Sequence, residues 1–363
     1  MMDDQVQIFV DQVRAAAAAK RGICIAGGGS KYFYGRAAEG DVLETRSHQG
    51  IAAYEPTELV VTARCGTPLD EVEAALAAQG QILPFEPPQF AGNATFGGAI
   101  AAGLSGPRRA ANNGYYGAVR DFVLGCKIID GKGDVLSFGG QVMKNVAGYD
   151  VSRLMAGSMG TLGVILEVSL KVLPKPVASC TLQLGLRDPD DVIEKLNEWG
   201  GMPLPITATA YHGGDLGVRL EGAEAAVNSA AKRLGGEMVD AAGADAFWRG
   251  LRDQTHAFFS GPEPLWRFSV PSATVPLDLP GRQLIEWGGA LRWFKTDAPH
   301  ASIRQIAKQA GGHATLFRAD SALKQQAGVF TPLDPALVRI HKNLKATFDP
   351  HGIFNRGRLY PEW

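Results

Sequence analysis

The sequence predicts an α+β protein in two parts followed by a returning tail, and three observations lead there. Glycine-rich turns at Ala26 to Gly35 (AGGGSKYFYG), Asn93 to Ser105 (NATFGGAIAAGLS) and Gly157 to Ile165 (GSMGTLGVI) each adjoin a strand-like run. That character stops at Pro174 and Pro176, and the chain then reads β-α-β-β-α, the start of a split βαβ, ferredoxin-like layer. Last come a helical stretch from Leu333 to Lys345 and a compact, aromatic and basic end, HGIFNRGRLYP. The expected division is residues 1–174, an α+β cap at 175–330, and a helix and strap at 331–363 that return to the first part.

Residues 5–20 have the spacing of an amphipathic helix, with Val6, Phe9, Val10 and Val13 on one face and alanines behind. Ile23 to Ala26 is a short strand that delivers the first glycine loop. Thr57 to Thr62 alternates and is β-branched, a strand; Pro68, Asp70 and Glu71 then open a helix that runs to Ala78, with Gly80 as its stop. Phe122 to Ile129 and Gly133 to Phe138 flank the turn Asp130-Gly131-Lys132, a hairpin. Val151 to Met155 forms one helical turn, and Val164 to Val172 a strand. In the cap, strands at Thr181–Leu186, Ile206–His212 and Leu216–Leu220 alternate with helices at Pro189–Trp199 and Ala223–Leu234. A similar unit is expected after Leu265, through Leu291–Phe294, a helix at Ile303–Ala310 and a strand at His313–Arg318, with no sequence repeat behind it.

Between Gly92 and Gly117 there are seven glycines, interleaved with Ala, Ser and Thr rather than with charge. Such a stretch is not expected to fill a core. It lets backbone approach a partner closely and leaves amides uncovered, which suits an anion such as a pyrophosphate. A tight β-arch packed for shape alone fits the same residues equally well. Three such turns in one half of the chain point to three walls of one extended cofactor site.

At 363 residues, with a formal charge of -1, the chain has room for two cores and offers no electrostatic case for nucleic acid or an anionic membrane. Cys24, Cys65, Cys126 and Cys180 are too scattered for a zinc or iron–sulfur motif, and the seven histidines have no metal-binding spacing. No metal is therefore expected. No apolar run reaches membrane-spanning length and the acidic start lacks a secretory n-region, so the expected location is cytoplasmic, with attachment at the inner membrane through partners left open. The first loop has Gly27 and Gly29 but Tyr32 where a dinucleotide fold needs its third glycine. No Gly-Lys-Ser/Thr follows any glycine run, and Gly-x-Ser-x-Gly is absent.

The order GGGSKYFYG, NATFGGAIAAG, KNVAGYD, GSMGTLGVI and FDPHGIFNRGRLYP closely resembles the FAD-binding domain of the vanillyl-alcohol oxidase and p-cresol methylhydroxylase (PCMH) type. MKNVAGYD at Met143 to Asp150 and GGHATLFR at Gly311 to Arg318 narrow the resemblance to the smaller flavin subunits of bacterial glycolate oxidases, over essentially the whole chain. It implies that Gly27, Gly28, Gly29, Ser30 and Lys31 give amides and a cation to the FAD pyrophosphate. Thr95, Gly97, Gly98, Ala101, Gly103 and Ser105 would lie along pyrophosphate and flavin. Gly160, Gly163, Val164 and Ile165 would meet the adenosine and ribityl parts, Pro84 and Ala94 would neighbour the flavin, and Asn355 with Arg356 would reach its ring from the tail.

Two departures from the family pattern matter. Relatives with covalent flavin often have a His in the first loop, where this chain has Ser30 and Lys31, so dissociable FAD is expected. The His-x-Gly-Asp-Gly-Asn stretch of the larger dehydrogenase subunits is echoed only by His212 to Gly217 (HGGDLG), which lacks the Asn and reads as a hairpin turn. No catalytic base is identified; Lys144, His313 and Arg318 are the cations considered near the flavin. The resemblance implies a subunit that helps convert glycolate to glyoxylate, beside a larger flavin subunit and an iron–sulfur subunit that takes the electrons onward. The alternatives are a self-sufficient oxidase of another small hydroxy acid and a structural subunit with a vestigial flavin site.

Overall fold

The computed structural model describes residues 4–90, 92–110, 116–140 and 150–363. Helix α1 (Asp4–Ala19) buries the expected Val6, Phe9, Val10 and Val13 against β1 (Ile23–Ala26), which pairs in parallel with β2 (Asp41–Glu44). Strands β3 (Ile51–Glu55) and β4 (Val60–Arg64) form the next antiparallel pair. The strand expected at Thr57 starts three residues later because Pro56–Glu58 makes a 3-10 turn that ends at Leu59 with φ 56°. Then come α2 (Leu69–Ala77), β5 (Gln81–Ile82), α3 (Phe96–Ala102), α4 (Val119–Phe122), β6 (Val123–Ile129), β7 (Val135–Gly139), α5 (Val151–Leu154), β8 (Val164–Lys171) and β9 (Leu173–Pro174).

The first main sheet has the order β3-β4-β8-β6-β7. Its β6–β7 turn is held by Asp130, whose Oδ1 accepts the amides of Lys132 and Asp134, each at 2.9 Å. Helix α3 corrects the expectation that the central glycine stretch stays out of the core. Phe96, Ala99 and Ile100 on one face of α3 are buried with Val61, Val168 and Leu170 of the sheet. Thr95 caps the helix by accepting the Gly98 amide, and Gly103, at φ 63°, stops it.

In the cap, β10 (Ala178–Gly185), α6 (Pro189–Gly200), β11 (Ile206–His212), β12 (Asp215–Gly222), α7 (Glu224–Leu234) and β13 (Glu237–Val239) follow the split βαβ pattern. Helix α6 starts where Asp188 caps it and Pro189 takes the first turn. After α8 (Ala241–Arg252), which composition does not announce, come β14 (Leu265–Ser269), β15 (Arg282–Glu286), β16 (Leu291–Lys295), α9 (His300–Gln309) and β17 (His313–Arg318). One eight-stranded sheet results, in the order β13-β10-β12-β11-β15-β16-β14-β17. Numbered within its own unit, each half has its strands in the order 4-1-3-2. The halves join through their second strands, with Ala210 opposite Glu286 and Tyr211 opposite Ile285.

The recurrence expected after Leu265 is thus present in topology with one element changed. In the first half α6 and α7 both cover the sheet; in the second only α9 does so as a crossover helix, and residues 270–281 replace the other, with Leu277 and Leu279 tucked against the core. The stretch HGGDLG is the β11–β12 turn, with Gly213 and Gly214 at φ 67° and 94°. Two tail helices follow, α10 (Ser321–Ala327) and α11 (Pro335–Phe348). The strap beyond them returns to the first half, where the Ile23 amide donates to Ile353 O (2.7 Å) and the Asn355 amide to Ile23 O (2.8 Å).

Candidate functional site

The three glycine-rich turns meet. A cavity of about 410 Å³ is walled by the end of β1 and the first loop, by one face of α3, by the third turn, and by the returning strap. That size lies within the range of small-molecule sites, roughly 300–1,000 Å³. Of the residues expected at a site, Gly27, Gly28, Gly29, Ser30, Lys31, Thr95, Gly97, Gly98, Ala101, Gly160, Gly163, Ile165 and Asn355 line it.

The glycines bring the walls against each other. A Cβ on Gly28 would sit 1.4 Å from the carbonyl oxygen of Asn93, so the first loop touches the stretch before α3 only because no side chain is there. Likewise a Cβ on Gly160 would stand 2.6 Å from Asn355 Nδ2. Asn355 joins three pieces of the wall: Oδ1 accepts the Ile25 amide at 2.8 Å and Nδ2 donates to Met159 O at 2.6 Å, while its own amide is held by β1. Thr45 Oγ1 donates to Ala26 O at 2.9 Å and fixes the end of β1.

Six expected residues lie off this cavity. Pro84 is buried in the turn after β5; Ala94 is buried, and its carbonyl accepts the Leu69 amide. Gly103 abuts Gly157 at the far end of α3. Val164 turns the other way along β8, into the core beneath α1. Arg356 donates to Gly352 O and Lys20 O. Ser105 faces a separate small void under the cap, with Oγ buried and unpartnered. In place of Arg356 the strap presents Arg358, whose guanidinium donates to Arg36 O (2.7 Å) and Lys31 O (3.0 Å) and pins the first loop. The positive φ of Asn355 (40°) and Gly357 (70°) turns the strap between these arginines, and sequence spacing alone does not say which one faces inward.

Cys24, Ile25, Ala26, Tyr32, Ala37, Ala38, Val42, Thr45, Cys65, Ala102 and Met159 complete the wall without having been singled out in the sequence. Most are small or apolar; Cys24, Ile25, Ala26 and Val42 are placed by the β1–β2 pairing, which carries no compositional mark. The Cys65 thiol is pushed up to about 12 by burial, so it stays a neutral wall group.

The electrostatics of the wall have one sign. Lys31 and Arg358 are its cations, and no carboxylate lines it among the described residues. Burial lowers Lys31 to about 8. Its Nζ donates to Ser30 Oγ at 3.1 Å and lies 5.4 Å from the centre of the Phe90 ring, and the charge of Asp253, which is not in contact with it, acts against burial. Arg318 stacks over Phe33 at 4.4 Å and over Phe90 at 5.6 Å, just outside the first loop. His313 is at the other end of β17, five residues away, and Lys144 lies outside the described residues.

Comparison with known proteins follows the same division. Residues 5–139 match the model of an FAD-binding domain family. The chain is 50% identical over 359 residues to glycolate oxidase subunit GlcE of Escherichia coli (strain K12), covering 99% of this chain and 98% of that one. The chain belongs to the glycolate oxidase subunit GlcE family. It is also 34% identical over 143 residues to glycolate oxidase subunit GlcD of Bacillus subtilis (strain 168), a match that spans 39% of this chain and 29% of that protein. Among solved structures, an alkyldihydroxyacetonephosphate synthase superposes with a TM-score of 0.66 at 15% identity, over 95% of this chain and 74% of that one, which shows a shared fold. The cofactor of this family's domain is FAD, and the chain is an FAD-dependent oxidoreductase subunit by membership. No helix among the described residues is long and apolar enough to cross a membrane.

Proposed function

We propose that this chain is the smaller FAD-carrying subunit of a glycolate-oxidising complex, that its FAD lies non-covalently in the glycine-walled cavity, and that electrons leave through partner subunits. The observation that carries the reading is a half-buried lysine that no carboxylate contacts among the described residues, at the meeting point of three glycine turns. A dinucleotide diphosphate supplies the missing charge, and Arg358 adds a second cation to the same wall. Gly27 to Lys31, Gly97 and Gly98 would hold the diphosphate, and Gly160, Gly163, Ile165 and Asn355 the more extended parts.

Bound FAD supplies a ring that accepts the hydride equivalent released when glycolate becomes glyoxylate. What this chain does is hold and orient that group and exclude water from it. No histidine lines the wall among the described residues and its Cys65 is a buried neutral thiol, which supports non-covalent binding. The larger flavin subunit and the iron–sulfur subunit implied by the sequence resemblance are the proposed partners. The proposed division of the chain at Pro174 is supported by the change of sheet between Pro174 and Ala178, and the cytoplasmic location by charge and hydropathy.

The test is flavin content. The purified chain is expected to be yellow and to lose its colour to the supernatant on acid precipitation. Colour that stays with the precipitate would refute dissociable FAD. Gly98→Asp puts a carboxylate on the cavity wall and is expected to leave a folded, colourless protein; unchanged flavin in that variant sinks the assignment of α3 to the site. Anaerobic glycolate that leaves the absorbance unbleached in the isolated chain favours relay to partners over independent turnover.

A further inference from the structure

We propose that Arg358 and Lys324 are positioning residues for the cofactor: they clasp the first loop from the tail, fix where Lys31 stands, and so set how fast FAD leaves the glycine-walled cavity. The inference rests on the proposed function and adds to it the control of cofactor release.

From Lys31 to Arg36 the first loop has no helix or strand to hold it. Within the loop the Tyr32 amide donates to Gly29 O at 3.1 Å and the Tyr34 amide to Lys31 O at 3.0 Å. Its outer rings are packed: Phe33 meets Phe90 (5.2 Å) and Phe317 (5.5 Å), and Tyr34 meets Phe317 (5.0 Å) and Phe330 (5.6 Å). The inner end is different. Tyr32 is 61% exposed and Lys31 is half-buried, and both line the cavity. Packing of rings thus secures the side of the loop that faces the cap and leaves the side that faces the cofactor to be held by other means.

The tail supplies them. Arg358 Nη1 donates to Arg36 O (2.7 Å) and Tyr32 O (3.4 Å), Nη2 donates to Lys31 O (3.0 Å), and the Arg36 amide returns a bond to Arg358 O (3.0 Å). Lys324, on α10, donates from Nζ to Phe33 O. The carbonyls of Lys31, Tyr32, Phe33 and Arg36 therefore all accept from two cations, one on the strap and one on a tail helix. Loop and strap run so close that a Cβ on Gly35, at φ 89°, would stand 3.2 Å from both Nε and O of Arg358.

The kind of partner carries the functional argument. Neither cation contacts a carboxylate among the described residues; both are held by carbonyl oxygens. A carbonyl fixes a cation by hydrogen bonding and leaves its net charge standing, whereas a carboxylate would cancel it. Arg358 lines the cavity with Lys31, so the bonds that order the loop also keep two charges available to a diphosphate. Burial lowers both Arg358 and Lys324, and the charges of Arg358 and Arg318 lower Lys324 further, a crowding of like charge that an anion in the cavity relieves. A loop ordered before FAD binds spares the complex the entropy of ordering it, and FAD leaves when these bonds open.

The experiment loads the full-length chain with FAD and measures how fast flavin passes a filter that retains the protein, with the melting of each flavin-free variant recorded alongside. Arg358→Met should release FAD at least about tenfold faster than wild type, the scale of a lost hydrogen bond from a charged donor. Arg358→Lys, which keeps the charge and loses the fork, should fall between. Lys324→Met should also speed release, although Lys324 does not line the cavity. Because Lys324 acts through the placement of Lys31, its effect should shrink in a Lys31→Met background. If Arg358→Met fails to fold, the other two variants carry the test. Release at the wild-type rate in Arg358→Lys and Lys324→Met overturns the proposal, as does an undiminished Lys324 effect without Lys31, or faster release matched by an equal loss of melting in the flavin-free chain. A wild type that takes up no FAD sinks the proposed function and this inference together; a wild type that holds FAD beside variants that hold it equally well sinks this inference alone.

Discussion

Two groups of buried charge join the halves of this molecule, and they are satisfied in opposite ways. In the first, Glu86 and Arg108 from the amino-terminal half alternate with Glu221 and Arg219 from the cap. Four contacts close a ring, Arg108 at 2.9 Å from each glutamate and Arg219 at 2.9 and 3.3 Å. Thr207 Oγ1 adds a bond to Glu221 at 2.6 Å. Burial would push the Glu86 carboxyl up, but Arg108 and Arg219 override it and hold it at about 2. In the second group, Arg109 and Arg267 meet on Trp287 with no hydrogen-bonded acceptor among the described residues. The lysines repeat the contrast. Lys345 donates to Asp349, Thr161 O and Phe354 O within 2.9 Å and locks the strap, whereas Lys31 has a neighbouring hydroxyl and the Phe90 ring. The cations that hold the fold are paired by contact, and these others are not among the described residues.

The largest effect expected from this contrast is on the ring. Arg219→Met leaves two buried carboxylates to share the single charge of Arg108 and should cost about 3–5 kcal/mol of stability, read as a lower denaturant midpoint. Arg267→Met removes a charge that has no partner and should leave the midpoint within about 1 kcal/mol of wild type, or raise it. Equal losses in the two variants would dissolve the distinction between closed and open sites. Next in size is Lys31→Met, which should weaken FAD retention by about 1.5–3 kcal/mol, the worth of a charge-assisted hydrogen bond, with little change in the melting of the flavin-free chain. The pH dependence has a definite sign. With Lys31 held down to about 8 in the free chain, anion binding favours its protonated form, so FAD affinity should fall as pH rises above 8, and Lys31→Met should flatten that fall.

The same contrast explains how much was legible in advance. The first and third glycine turns and the strands Ile206–His212 and His313–Arg318 are local patterns, and they stand where the sequence puts them. Helix α3 was not legible: its glycines argue against a helix, and only the packing of Phe96 and Ile100 against the sheet outweighs that propensity. Nor was the choice between Arg356 and Arg358, because it depends on which side of a strap faces β1. The pairing state of a cation is a tertiary property; nothing near Arg108 or Arg109 in sequence tells that one is closed by Glu86 and Glu221 while its neighbour stays open.

The smallest expected effect probes the open group from its acidic side. Glu286 shares the void with Arg267, and burial raises its carboxyl to about 7, above its unfolded value near 4.5. Between those two values the folded chain holds a proton that the unfolded chain has lost, so this group's contribution falls as pH rises from 4.5 to 7 and is fully lost above. Glu286→Gln keeps an acceptor for Trp293 Nε1 and removes the titration. The variant should therefore match wild type near pH 4.5 and be the more stable of the two above pH 7. The same pH profile in both proteins would overturn the raised titration of the Glu286 carboxyl, on which the neighbouring Arg267 acts in the opposite direction to burial.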